Sequence, residues 1–142
     1  MSTTIRDARP DDAGAIAHLL EQLGYPTDAA AVPARLERLR IVGDRLVVAE
    51  LDGRVVGLAQ LHVSPTMALE RPAAKIDGLV VDESCRGRGI GRALVAEMEA
   101  EARARGCVLL YLTTATRRED AHEFYLRVGL EETGKRFGKS LD

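Results

Sequence analysis

The segment from residue 80 to residue 94, which reads V-V-D-E-S-C-R-G-R-G-I-G-R-A-L, constrains the fold more than any other part of this chain. An apolar run leads into a loop that contains Gly87, Gly89 and Gly91, and apolar residues at helical spacing follow it. This order predicts a strand, a glycine loop and a helix. Glycine allows the backbone to turn sharply and to bring its N–H groups close to a ligand. Because the unpaired N–H groups of a helix N-terminus favour an anion, the loop is predicted to hold a phosphate or a pyrophosphate.

Two helices and a hairpin are predicted before this loop. A Pro-Asp-Asp start at residues 10–12, followed by apolar residues at helical spacing, predicts a first helix that Gly24 ends. A second helix is predicted to begin after Asp28. The dipeptide Asp52-Gly53 separates two apolar runs and favours a two-residue hairpin turn. The strands on either side of this turn are therefore predicted to be antiparallel.

A helix, a strand and a shorter helix are predicted after the glycine loop. Apolar residues recur every four positions along the first of these, at Ile90, Leu94, Met98 and Ala102. The strand at residues 108–113 is expected to run parallel to the strand at residues 76–81, because a whole helix joins them. A helix at residues 120–128 and a final hairpin at residues 130–141 complete the pattern. The chain of 142 residues is predicted to form one α/β domain that spans residues 1–142.

Composition excludes several classes of function. The formal net charge of -2 argues against a nucleic-acid-binding protein, which needs a basic face to neutralise phosphates. No long apolar stretch predicts a membrane span or a signal peptide, so a cytoplasmic protein without a membrane partner is expected. The two cysteines, Cys85 and Cys107, form neither a disulfide framework nor a spacing typical of metal ligands. No metal is predicted.

The glycine loop matches neither the G-x-G-x-x-G pattern nor the Gly-Lys-Ser/Thr pattern of common nucleotide-binding folds. It resembles instead the central motif of the GCN5-related N-acetyltransferases (GNAT family), Arg/Gln-x-x-Gly-x-Gly/Ala, through Arg86, Gly89 and Gly91. The run A-H-E-F-Y-L-R-V-G-L at residues 121–130 resembles the second motif of the family. The resemblance covers residues 75–130. It looks most like the branch of aminoalkylphosphonate and aminoglycoside acetyltransferases, which act on small amines.

This resemblance implies a GNAT-type acyl-CoA N-acyltransferase fold. Its mixed central sheet would have six to seven strands, splayed between the two parallel central strands, and about four helices would flank it. Acetyl-CoA would be the co-substrate, with its pantetheine arm along one of those strands and its pyrophosphate in the glycine loop. The residues that would bind it are Leu79, Val80, Val81, Arg86, Gly87, Arg88, Gly89, Ile90, Gly91, Arg92, Arg118 and Tyr125.

Gly78, in the middle of the strand that enters the loop, predicts a β-bulge or a close backbone approach. Such an irregularity would leave strand N–H groups free for a ligand. Packing alone could also require a glycine at this position.

Acetyl transfer to an amine requires a neutral amine, a donor for the developing oxyanion and a proton for the departing thiolate. The resemblance places Tyr125 beside the sulfur, where a phenol could donate that proton. A backbone N–H group near Leu79 could hold the oxyanion. Phe124 is expected to be a core residue, and Tyr125 could equally be one.

Several groups could act as the general base. Asp77 is the first candidate; strand periodicity places its side chain on the same side as Lys75 and Leu79. His62 and His122 are alternatives, because imidazole can accept a proton near neutral pH. Water could also serve without any single base.

The predicted function is acetyl transfer from acetyl-CoA to a primary amine of a small molecule, by direct attack in a ternary complex. A protein or peptide N-acetyltransferase and a non-catalytic acetyl-CoA sensor are the alternatives. Arg117 and Arg118 could contact phosphates or an anionic substrate, because Arg118 lies where many relatives carry an asparagine. A small anionic amine is favoured by basic residues in the segments expected on the substrate side, Arg71, Lys75, Arg136 and Lys139. Dimers are common in the family, so a homodimer is also expected.

Overall fold

The Asp52-Gly53 turn connects two long antiparallel strands, and both of its residues have positive φ, 52° and 78°. The structure, a computed structural model, describes residues 2–113 and 119–142. In those residues five strands and four α-helices form, together with short 3-10 turns. In chain order they are β1 (Thr3–Asp7), α1 (Ala13–Leu23), α2 (Val32–Ile41), β2 (Arg45–Leu51), β3 (Arg54–Ser64), β4 (Ala73–Val81), α3 (Ile90–Ala104), β5 (Leu109–Leu112) and α4 (Glu119–Arg127).

The five strands form one mixed sheet in the order β1-β2-β3-β4-β5. The pairs from β1 to β4 are antiparallel, and β4 and β5 are parallel. The parallel pair is joined through α3, as the sequence predicts. The predicted hairpin between β2 and β3 is also confirmed.

Both faces of the sheet are covered by helices. On one face, Leu94 and Met98 of α3 are fully buried against a cluster that includes Ala59, Leu61 and Ile76 of the sheet. On the other face, α1 and α2 bury residues such as Ile16, Leu19 and Val32 against Val48, Leu58 and Val80. Complete burial of a leucine or methionine side chain contributes about 1.5–3 kcal/mol. The alternation of these side chains between the two faces fixes the register of the sheet.

The predicted hairpin at residues 130–141 is wrong. Residues 130–142 contain neither helix nor strand, and Phe137 and Leu141 are 90% and 93% exposed. The segment has only a few separated apolar residues among charged residues and glycines, so it cannot bury one face against a partner. The sheet therefore has five strands in the described residues, whereas six to seven are expected from the resemblance. Four helices form in residues 2–113 and 119–142, which confirms the predicted number of about four.

Candidate functional site

The parallel strands β4 and β5 pair over only four residues each. The pairing runs from Ala73 with Leu109 to Ile76 with Leu112, but β4 continues to Val81. On its other side, β4 stays paired with β3 as far as Val81 with Gly57. In an antiparallel pair, every second residue turns its N–H and C=O groups away from the partner strand. In residues 2–113 and 119–142, no strand pairs with residues 77–81 on the side of β4 that faces away from β3.

A β-bulge lies where β4 leaves β5. Gln60 of β3 pairs with Gly78, whereas its neighbour Leu61 pairs with Ile76, so Asp77 is the extra residue. This confirms the bulge predicted from Gly78. A Cβ atom on Gly78 would lie 4.0 Å from Leu58, which is ordinary contact, so packing does not require a glycine here.

The bulge also corrects one prediction about side-chain direction. Strict alternation places Asp77 and Leu79 on the same face of the sheet. Leu79 packs instead against the cluster on the α3 side, whereas Asp77 lines a cavity beneath α1 and α2. The inserted residue shifts the alternation by one position. Asp77 and Lys75 do share a face, and Lys75 Nζ lies 3.0 Å from Asp77 Oδ1.

The glycine loop contains two different kinds of glycine. Gly87 and Gly89 have φ values of 81° and 82°, the left-handed region that favours glycine. Gly91 lies inside the first turn of α3, where its missing side chain makes room for the ring of Phe124. The first turn of α3 thus combines free N–H groups with direct packing against α4.

The side chains around the loop are largely exposed arginines. Arg86, Arg88 and Arg92 all face solvent, whereas Ile90 is buried. Arg86 Nε donates a hydrogen bond of 3.2 Å to the carbonyl oxygen of Val81, which ties the loop to the end of β4. An anion at the N-terminus of α3 would meet positive charge as well as backbone N–H groups.

Cys85, directly before the loop, belongs to the core. It is buried, and its Sγ atom accepts a hydrogen bond of 3.4 Å from Arg54. Cys107 is half-buried, and both cysteines are free thiols.

A hydrogen-bonded network around Asp82 connects α1 to the loop, and the sequence did not predict it. Gln22 Nε2 donates to Asp82 Oδ1 at 2.6 Å, and the Ser84 hydroxyl donates to Asp82 Oδ2. These bonds lower the pKa of the Asp82 carboxyl from its ordinary value. Gln22 also accepts a bond of 3.0 Å from the backbone N–H of Glu83. The Asp-x-Ser spacing of residues 82–84 is a local signal for the bond between Ser84 and Asp82. Gln22 lies sixty-one positions before Glu83, so no local pattern points to its part in the network.

Tyr125 lies on α4 and is half-buried. Its ring meets that of Phe124 edge to face, with centroids 5.8 Å apart. Because Phe124 contacts Gly91, α4 is fixed against the N-terminal turn of α3, and Tyr125 is held on the helix beside the loop. Phe124 is therefore the packing residue of the pair, as expected.

His62 is oriented by a buried carboxylate. Its Nδ1 atom lies 2.6 Å from Asp44 Oδ1, and Gln60 Nε2 donates to Asp44 Oδ2 at 3.0 Å. No local sequence pattern points to Asp44, which directly precedes β2. His122 lies half-buried on α4. Neither histidine lines the cavity that Asp77 lines.

This cavity has a volume of about 380 Å³ and lies between the sheet and the first two helices. Its apolar lining comes from both helices and from the sheet: Ile16, Leu20, Val32, Leu36, Leu39, Leu46 and Leu58. Its other lining residues are Tyr25, Thr27, Arg35, Arg38, Gln60, Asp77 and Gly78. The bulge of β4 therefore borders two spaces. One is the gap at the strand edge where β4 separates from β5, and the other is this cavity on the face of the sheet.

Residues 14–130 match the acetyltransferase (GNAT) family. The chain belongs to the GNAT family. An aminoalkylphosphonate N-acetyltransferase of Salmonella typhimurium is 41% identical over 90 residues, which are 63% of this chain and 58% of that protein. This chain therefore spans less than two thirds of that relative's length. An aminoglycoside N(6')-acetyltransferase type 1 of Stenotrophomonas maltophilia is 30% identical over 92% of this chain and 87% of that protein.

Solved structures agree with the GNAT assignment. An acetyltransferase from Trypanosoma brucei has a TM-score of 0.85 and 26% identity, over 99% of this chain and all of that chain. The GNAT resemblance in the two sequence motifs is thus confirmed.

Some of the remaining predicted site residues lie in the described part of the chain, and others do not. It brings Leu79, Val80, Val81 and the glycine loop together at the end of β4. Arg117 and Arg118 lie outside the described residues. Within the described ranges, no helix is long and apolar enough to cross a membrane, and no group of three or more His, Cys, Asp or Glu side chains could hold a metal ion.

Proposed function

We propose that this protein transfers the acetyl group of acetyl-CoA to a primary amine of a small molecule, within one domain at residues 1–142. The proposal depends on the geometry at the end of β4. Its edge lies free of β5 beside the glycine loop, and its face borders the cavity at Asp77 and Gly78. Donor and acceptor can thus approach one short stretch of backbone from two directions.

The donor would lie along the free edge of β4. Backbone groups of Leu79, Val80 and Val81 would pair with the amides of pantetheine as a further strand would. The pyrophosphate would lie at the start of α3, on the N–H groups of residues 87–92. The guanidinium groups of Arg86, Arg88 and Arg92 around the loop would add positive charge.

The reaction forms one bond as it breaks another. The nitrogen of the neutral amine attacks the thioester carbon and forms a C–N bond. The carbonyl oxygen gains negative charge, which the N–H group of Leu79 would stabilise. The C–S bond then breaks, and Tyr125 would donate a proton to the CoA thiolate. The proton that the new amide nitrogen loses would restore the Tyr125 phenol by way of solvent. The products are the acetylated amine and free CoA.

Asp77 would remove the proton from the incoming ammonium group. Its carboxylate lines the acceptor cavity and lies one residue before Gly78 at the bulge. His62 is held by Asp44 outside the lining of this cavity. Because His122 does not line the cavity either, the cavity favours Asp77 over both histidines, and water is the alternative.

A small molecule is the acceptor that fits this cavity best. Its volume of about 380 Å³ is at the lower end of the range for sites of small ligands. The apolar lining under α1 and α2 suits the carbon skeleton of such a molecule.

Acetyl-CoA offered with a series of small amines and with short peptides tests this function. We expect stoichiometric CoA and N-acetylated small amine, identified by mass. Acetylation of peptides alone would instead make the protein a peptide acetyltransferase. Binding of acetyl-CoA without transfer to any amine would make it a sensor.

A further inference from the structure

The cavity beside Asp77 carries charge of opposite sign on two walls. Asp77 lies on the sheet, where it is paired with Lys75 at 3.0 Å, and Arg35 and Arg38 lie on α2. Residues three apart on a helix share a face, so both guanidinium groups can border the same space. The surface between the two walls is mostly apolar.

The arginines of α2 differ in their partners. Arg40 is bound to Glu37 by two hydrogen bonds of 3.0 and 2.6 Å. Arg35 contacts only the hydroxyl of Thr27, at 3.5 Å, and no carboxylate in the described part of the chain pairs with Arg35 or Arg38. The two arginines at the cavity are thus available to an anionic ligand, whereas Arg40 is already neutralised.

The turn before α2 supports one of these arginines. Thr27 Oγ1 donates a hydrogen bond of 2.8 Å to the carbonyl oxygen of Tyr25, and both residues line the cavity. The same hydroxyl oxygen can accept from Arg35. Arg35 Nη1 thus lies 3.5 Å from a side chain of the cavity lining.

We infer that the acceptor is a primary amine whose short carbon chain carries an anionic oxyacid group, and that Arg35 and Arg38 bind that group. The amine would lie at Asp77, the carbon chain on the apolar surface and the phosphonate, phosphate or carboxylate at α2. Arginine suits this role because its planar fork pairs with two oxygens of such a group. This inference rests on the proposed function, because it assigns the amine end to the acetyl-transfer site.

Three amines of equal chain length test the inference: an aminoalkylphosphonate, an aminoalkyl carboxylate and an aminoalcohol. The variants are R35Q and R38Q, with R40Q as the matched control on the same helix. We expect R35Q and R38Q each to raise the KM of the better anionic amine by about tenfold, since each removes a charged hydrogen bond. The values of kcat, and all parameters for the aminoalcohol, should change less than about twofold. R40Q should behave as the wild type.

Two results would overturn the inference while leaving acetyl transfer intact. One is equal kcat/KM of the wild type for the aminoalcohol and both anionic amines. The other is an equal effect of R35Q, R38Q and R40Q on every amine. If no amine is acetylated, the proposed function fails, and thermal unfolding then tests the arginines alone. The aminoalkylphosphonate should raise Tm in the wild type and in R40Q but not in R35Q or R38Q, and a Tm that rises equally in all four would contradict the site.

Discussion

The ring of Phe124 lies so close to Gly91 that a Cβ atom on the glycine would stand 3.0 Å from Cζ of the ring. This contact joins α4, which carries Tyr125, to the first turn of α3. The third glycine of the loop therefore serves packing, whereas Gly87 and Gly89 serve backbone geometry.

Replacement of Gly91 by alanine should be destabilising only while Phe124 is present. An alanine in a helix gains about 1 kcal/mol over glycine, but overpacking against a ring costs about 1–3 kcal/mol. In an F124L background the same substitution should be neutral or stabilising. Urea unfolding of the four proteins of this double-mutant cycle measures the coupling. Additive effects would show that the two residues do not interact.

Substitution of Gly87 or Gly89 by alanine should lower both stability and affinity for acetyl-CoA. A left-handed residue with a Cβ atom costs about 1–2 kcal/mol, and there is open space around both positions. G106A is the matched control, because Gly106 has φ 75° and open space at the far end of α3. All three variants should lose similar stability in urea unfolding. Titration calorimetry should show weaker acetyl-CoA binding only for G87A and G89A, and the assignment of the loop fails if G106A binds as weakly.

The Y125F variant should lose turnover but keep its affinity for acetyl-CoA. It removes only the hydroxyl that would protonate the thiolate, so we expect kcat to fall about 100-fold. The half-buried ring and its contact with Phe124 remain. Y111F, on β5, removes a hydroxyl that the mechanism does not use and should leave kcat unchanged. A kcat of Y125F equal to that of the wild type at saturation with both substrates would remove Tyr125 from the mechanism.

The general base can be identified by comparing D77N with H62Q. We expect kcat/KM of D77N to fall about 100-fold and its pH profile to lose the acidic limb. H62Q should keep the profile, because His62 does not line the acceptor cavity. The opposite result would assign the base to the pair of His62 and Asp44.

Stability should decrease as the pH falls through the acidic range, in part because of Asp82. Hydrogen bonds from Ser84 and Gln22 lower its pKa in the folded protein. The unfolded chain then binds the proton more readily, so this contribution is complete above the ordinary carboxyl pKa and is lost as the pH falls through the lowered value. D82N should therefore show a smaller difference than the wild type in unfolding free energy between about pH 7 and about pH 2.5, which lies below the ordinary carboxyl pKa of about 3.9. E83Q, at an exposed neighbouring acid, should keep the wild-type difference.

The sequence predicted the parts of the site that local chemistry determines. The hairpin at Asp52-Gly53 and the bulge at Gly78 were readable because turns and bulges depend on the residues at those positions. The parallel pairing of β4 with β5 followed from the helix between them. The direction of Leu79 did not follow, because periodicity cannot show which side of a bulge takes the extra residue.

Contacts between distant segments could not be predicted. Asp82 with Gln22, Asp44 with His62, and Arg35 at the cavity each depend on how α1 and α2 lie over the sheet. The absent hairpin after residue 130 is a different case, since residues 130–141 offer no continuous apolar face that two strands could bury.

The initial-rate pattern with acetyl-CoA and the free acceptor amine as varied substrates tests the central claim most directly. Direct transfer in a ternary complex predicts intersecting double-reciprocal lines and one CoA released for each acetylated amine. Parallel lines, or a burst of CoA released before any amine is added, would show a covalent acetyl-enzyme and contradict direct attack.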